Sequence, residues 1–226
     1  MSPVKKSSKL SRAESIAFCG LSIALLTVSA WVTVPLGPVP FTLQTMMLVF
    51  VVLLFPPREA LASVFGYLAL GALGAPVFSG MKGGMASLLG PTGGFIIGFG
   101  LGAVAAVLIL KVWKSSAARG VAARRSASAD AGDKGASFAA PPVRNTSRFV
   151  FALGMAREYT AALALLIVSY ACGWAQLMAV AGMSPLAAFL AGIAPFIVLD
   201  VIKIVVGASL AHAIRNAAPA LRTKVA

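Results

Sequence analysis

Apolar residues fill this chain in long blocks rather than at alternating positions, and short polar punctuation separates the blocks. The first block covers about 13–34 and stops at "PLGPVP", where Pro35, Pro38 and Pro40 prevent helix continuation. A second, about 42–55, opens at Thr42, a residue suited to cap a helix N-terminus, and closes at Pro56-Pro57. A third covers about 58–74 and ends at Gly74 and Pro76, and a fourth covers about 92–113 and opens at Thr92. A fifth spans about 155–180. After a short apolar segment at about 184–193, a sixth starts at Pro195, suited to a first helical turn, and reaches about Ile214. A helix rising roughly 1.5 Å per residue needs about 20 such residues to cross a bilayer. The pattern therefore predicts an all-α, polytopic membrane protein with six transmembrane helices. The second and third blocks have only 14 and 17 residues, so a re-entrant hairpin would also fit, but two short spans, with Arg58 reaching out from the inner end, are the favoured reading.

Composition agrees with this reading. Of 226 residues 59% are hydrophobic and 11% charged, with mean hydropathy +0.93, which excludes an ordinary soluble domain. The N-terminus resembles a signal peptide, but its apolar stretch, Ile16 to Val34, exceeds a typical h-region of about 7–15 residues. It reads as a retained first helix. Cys19 and Cys172 lie in apolar runs and read as small buried hydrophobes, without a disulfide. The composition changes only over 114–154, which is rich in Ala, Ser and Arg. That segment reads as a disordered basic loop within a single integral-membrane domain spanning 1–226.

The net charge of +13 would suggest nucleic acid in a soluble protein, but no aromatic residues are interleaved with the basic ones to stack on bases. The partner implied is the lipid bilayer, with no nucleic acid. Lys5, Lys6, Lys9, Arg12 and Arg58 fall on one side of the predicted spans, together with the basic residues from Lys111 to Arg157 and with Arg215, Arg222 and Lys224. The other side receives only Lys82. The positive-inside rule then puts both termini in the cytoplasm, in a multi-pass protein of the inner membrane, with the loops at 35–41, 75–91 and 181–184 facing outward.

Inside the sixth block, "LDVIKIVVGAS" holds Asp200 and Lys203. Each charge at the centre of a membrane helix costs roughly 2.5–3.5 kcal/mol on insertion scales. At spacing i, i+3 they share a face, and from a helix start at Pro195 they lie about 8 and 12 Å below the outer end. One reading is an ion pair that neutralises itself. The other is a polar wall of an outward cavity, where the lysine meets an anionic group and the aspartate accepts N–H donors. Thr42 and Gln44 belong to the same outer level. Gly83 and Gly84 sit in the glycine-rich loop at 75–91, where backbone can approach a ligand closely or move.

Gly94, Gly98 and Gly102 recur every four residues, a spacing that lets membrane helices pack backbone to backbone inside the chain. Ala13 and Ala17 repeat the spacing, on a face open to either internal packing or a partner. His212 reads as a helix-end residue. There is no Ser/His/Asp set, no metal cluster and no ATP-binding motif, and "GPTGG" lacks the Lys-Ser/Thr of a P-loop. Hence no enzyme, no catalytic residue and no cofactor is expected.

Four motifs in order, "PVPFTLQT" at 38–45, "GYLALGALGAPVFSG" at 66–80, "LLGPTGGF" at 88–95 and "PFIVLDVIK" at 195–203, resemble the BioY family. These are biotin-binding S components of energy-coupling-factor (ECF) vitamin transporters. The resemblance covers nearly the whole chain outside 114–154. It implies a six-helix S-component fold, high-affinity biotin binding and uptake, and a site near the outer face built with Asp200 and Lys203. It further implies that Ala13 and Ala17 match the motif by which S components dock on the coupling transmembrane subunit, itself driven by ATPase subunits. The rival readings are an S component for another vitamin and a small integral-membrane protein without a transport role. A cationic ligand such as thiamine is disfavoured by Lys203.

Overall fold

A computed structural model describes residues 11–132 and 146–217. Helix α1 (Arg12–Trp31) leads into a two-stranded ribbon, β1 (Thr33–Val34) and β2 (Phe41–Thr42). Helices α2 (Gln44–Leu54) and α3 (Pro57–Ala72) follow, then a 3-10 turn (Ser79–Met81) and the short α4 (Met85–Leu89). The long α5 (Gly93–Gly132) and α6 (Thr146–Ala181), the short α7 (Pro185–Gly192) and α8 (Ile197–Ala217) are the remaining elements among the described residues. Four of these helices, α1, α6, α8 and the Gly93–Trp113 part of α5, are long and apolar enough to cross a membrane.

Most block edges coincide with their chemical stops. A capping box opens α1: the Ser11 hydroxyl accepts the Glu14 N–H, and the Glu14 carboxylate accepts the Ser11 N–H. Pro57 occupies the first turn of α3. Three edges near the ribbon and the start of α8 differ from the sequence reading. Helix α1 ends at Trp31 instead of about 34, because Thr33 and Val34 pair antiparallel with Thr42 and Phe41. Thr42 is therefore a strand residue and not the cap of α2, although its hydroxyl still accepts the Gln44 N–H at 3.4 Å. Helix α8 begins at Ile197, two residues after Pro195, behind a turn at 193–196. Asp200 and Lys203 then lie about 5 and 9 Å from the helix start, shallower than the sequence suggests.

The segment read as a loop over 114–154 is helical in most of its length. Helix α5 continues to Gly132 and α6 already runs from Thr146. Alanine and arginine have high helix propensity, and extending an existing helix needs no new nucleus, so low hydrophobicity does not end it. Residues 133–145 lie outside the described residues, as do Lys5, Lys6, Lys9, Arg222 and Lys224.

The core explains why an 11-residue α2 persists without a side-chain cap. Nine of its residues are buried, so the helix is apolar all round and held by its neighbours. Leu48, Val64, Tyr67, Phe78 and Leu165 form one core where α2 meets α3, α5 and α6, and Val49, Leu53, Ile204 and Ala208 form another where it meets α6 and α8. Between α5 and α6 the glycine spacing works as expected. A Cβ on Gly98 would stand 2.7 Å from Ser169 Cα, one on Gly102 2.7 Å from the Leu165 carbonyl oxygen, and one on Gly94 would strike the Cys172 carbonyl. Because these obstacles are backbone, they cannot swing aside. Gly98→Ala is expected to destabilise the protein by about 1–3 kcal/mol through overpacking, read as a lower unfolding midpoint in detergent. Gly20→Ala, with nothing within 4 Å of its added Cβ, should leave the midpoint unchanged or raise it.

At the end of α6 and α8 opposite the ribbon, buried Glu158 receives the Arg215 guanidinium. Arg157 and His212 Nδ1 each approach it to 3.9 Å. His212 is thus a helix-end residue that also belongs to a charge cluster.

Candidate functional site

The ribbon, the starts of α2, α5 and α8, and the middle of α6 surround a cleft enclosing about 650 Å³, counting the part open to solvent. Apolar walls come from Val39, Phe95, Ile96, Phe99, Leu166 and Phe196. Thr42, Gln44, Asp200 and Lys203 line the same cleft, so the structure gathers four of the residues singled out from sequence. Gly83 and Gly84 are not among its walls. Gly83 instead packs on the Ala75 carbonyl, and Gly84, at φ 86°, donates its N–H to the Gly71 carbonyl at 2.6 Å. The two glycines let the loop fold tightly on itself.

Asp200 and Lys203 are 5% and 6% exposed. The Lys203 ammonium donates to Asp200 Oδ1 at 2.7 Å, and it stands 3.7 Å from the centroid of the Phe41 ring. The ring's negative face offsets part of the lost hydration. On the other oxygen, the Tyr170 hydroxyl donates to Asp200 Oδ2 at 2.6 Å. A buried charge pair is tolerable only when such bonds satisfy its remaining polar atoms. Beside it, the Gln44 amide donates to the Tyr67 hydroxyl at 2.8 Å, which donates to the Val77 carbonyl at 2.9 Å. The cleft is thereby tied to the chain segment after α3.

Several side chains in or beside the cleft are not singled out by the sequence. Tyr170 lies 30 positions from Asp200 and Phe41 belongs to a two-residue strand. Thr33 and Ser79, from β1 and the 3-10 turn, bond hydroxyl to hydroxyl at 3.0 Å beside the cleft. Gln176 on α6 holds the "LLGPTGG" segment down by donating to the Leu88 and Gly90 carbonyls at 2.7 and 2.8 Å. Its only signal was a lone amide in an apolar helix. The cleft can thus bind: one end presents a hydrogen-bond acceptor next to a cationic donor, and the rest is apolar and aromatic.

Ala13 and Ala17 are far from this cleft, near the start of α1, and both are exposed. Gly20 and Ala24 extend the exposed small stripe along the helix. The opposite side of the helix is taken up internally, where the Ser15 hydroxyl donates to Glu59 of α3 at 2.7 Å.

The model of the BioY family matches residues 4–220. A probable biotin transporter BioY of Pyrococcus horikoshii is 32% identical over 193 residues, 85% of this chain and 90% of that one. The biotin transporter BioY of Rhizobium etli is 31% identical over 81% of this chain and 82% of its own length. That of Thermotoga maritima is 46% identical over 84 residues, 37% of this chain and half of the relative. Among solved structures, the S-component for biotin from an ECF-type ABC transporter superposes with a TM-score of 0.69 at 22% identity, covering 91% of this chain and 92% of that one. That likeness establishes the fold.

Proposed function

The chain belongs to the BioY family, and we propose that it binds biotin at the outer face of the cytoplasmic membrane as the S component of an ECF-type transporter. It is a multi-pass membrane protein. The observation that carries the reading of the site is the buried Asp200–Lys203 pair at the polar end of an otherwise apolar cleft.

We assign both charges to the ureido end of biotin. At 2.7 Å apart, the pair offers an acceptor beside a donor, the complement of an N–H next to a C=O in a cyclic urea. The biotin carboxylate sits at the far end of an aliphatic chain, too distant from the ring for this pair to meet both ends of an extended ligand. Gln44 and Thr42 complete the polar end, and the aromatic walls suit the fused ring and its chain. Six membrane helices, with α2 and α3 as short internal spans, and cytoplasmic termini are the arrangement that the uneven distribution of basic residues supports. Residues 1–226 then form one integral-membrane domain, and Ala13 and Ala17 face a coupling subunit driven by ATPases.

The test is equilibrium binding of labelled biotin to the purified chain in detergent, with thiamine and riboflavin as competitors. Saturable biotin binding that neither competitor displaces is expected. No biotin bound, with saturable binding of labelled thiamine or riboflavin instead, would move the chain to a different ligand.

A further inference from the structure

We propose that Tyr170 is a positioning residue for ligand recognition, its hydroxyl fixing the carboxylate plane of Asp200 so that the free edge of that carboxylate meets the ligand. The proposal rests on the biotin-binding reading above. A carboxylate on a single methylene turns easily, because the terminal torsion of aspartate is broad. Lys203 restrains one oxygen, but it belongs to the same helix as Asp200 and one long flexible side chain cannot set the plane. Tyr170 reaches the other oxygen from α6 at 2.6 Å. Its own ring is held edge-on to Phe95, with centroids 6.4 Å apart at 85°. With one bond on each oxygen, each keeps a further acceptor position, and both are aimed by two elements of the fold.

The helix register supports a built feature. Tyr170 lies twelve residues beyond Glu158 on α6, and His212 lies twelve beyond Asp200 on α8. The antiparallel helices are thus joined by polar contacts at two levels, Tyr170–Asp200 at the cleft and Glu158 with His212 and Arg215 at the other end. The second level, and the apolar core between them, hold α8 in place without the tyrosine hydroxyl. Tyr170 also forms part of the cleft wall, so direct ligand contact is the competing role. Its single hydroxyl proton is already given to Asp200, which leaves it nothing to donate.

Tyr170→Phe keeps the ring and removes the hydroxyl. Biotin affinity is measured calorimetrically on the full chain in detergent for wild type, Tyr170→Phe, Asp200→Asn and the double variant. The single change should raise Kd roughly tenfold, as for losing a hydrogen bond to a charged group. Added to Asp200→Asn, it should change Kd by less than about twofold, because its effect passes through the carboxylate. Without ligand, the infrared carboxylate stretch that vanishes in Asp200→Asn should shift in Tyr170→Phe. An unchanged Kd, an equal loss in both backgrounds or an unmoved carboxylate band would each overturn the proposal. If wild type binds no biotin, the ligand reading fails, and the ligand-free infrared band still decides whether Tyr170 fixes Asp200.

Discussion

Lys203→Ala is expected to lower biotin affinity roughly tenfold to a hundredfold, since a hydrogen bond to a charged group contributes about 1.5–3 kcal/mol. Asp200→Ala should cost more and in a different way. After Lys203→Ala the Asp200 carboxylate keeps the Tyr170 hydroxyl. After Asp200→Ala the Lys203 ammonium, 6% exposed, is left with the Phe41 ring. Breaking a buried pair from one side typically costs about 3–5 kcal/mol. Asp200→Ala is therefore expected to lower the unfolding midpoint as well as abolish measurable binding, whereas Lys203→Ala should affect binding chiefly. Calorimetry and thermal unfolding on the same preparations separate the two effects. Biotinamide, with its charge removed from the far end, tests the assignment of the pair. If both charges read the ureido group, Lys203→Ala should weaken biotin and biotinamide by the same factor. A loss confined to biotin would return Lys203 to the carboxylate, and unchanged affinity for both would remove it from the site.

The second large effect concerns assembly. Ala13→Trp combined with Ala17→Trp should leave biotin binding by the purified chain intact, yet abolish uptake in cells and co-purification with the coupling subunit. Both residues are exposed on α1, while the other side of that helix is committed to α3 through Ser15 and Glu59. Small residues let a second helix approach to backbone contact, and two indoles at i, i+4 fill that space. They lie near the start of α1, whereas the ribbon beside the cleft follows its end. Combined loss of stability and biotin binding would mean that the stripe packs within the chain. Normal uptake with both tryptophans would mean that it meets only lipid.

How these two sites differ in legibility follows from distance along the chain. Ala13-Ala17 and Asp200-Lys203 each fit within one helical turn or so, and the α-helix alone fixes which face such residues share. The same holds for Gly94, Gly98 and Gly102, whose spacing foretold close packing inside the chain, though not that α6 is the partner. The membrane class came from summed hydropathy, a quantity that needs no partner. By contrast, Tyr170 becomes significant only when α6 lies antiparallel to α8, 30 positions away. Gln176 acquires its role from carbonyls 86 and 88 positions earlier.

By itself, then, the sequence determined the apolar blocks, most of their proline and cap boundaries, and that the charged pair shares one helix face. Tertiary structure alone decided three further matters. Pairing of Thr33-Val34 with Phe41-Thr42 ended α1 early and turned Thr42 from a helix cap into a strand residue in the cleft wall. Backbone packing claimed Gly83 and Gly84 for the loop, because a glycine's freedom says only that close approach is possible and not what approaches. Burial on all sides stabilised the 11-residue α2, which is too short to persist on its own propensity. In each case a contact between separate segments of the fold decided what local preferences, worth about a kilocalorie or less, left open, and local preferences are what a linear sequence records.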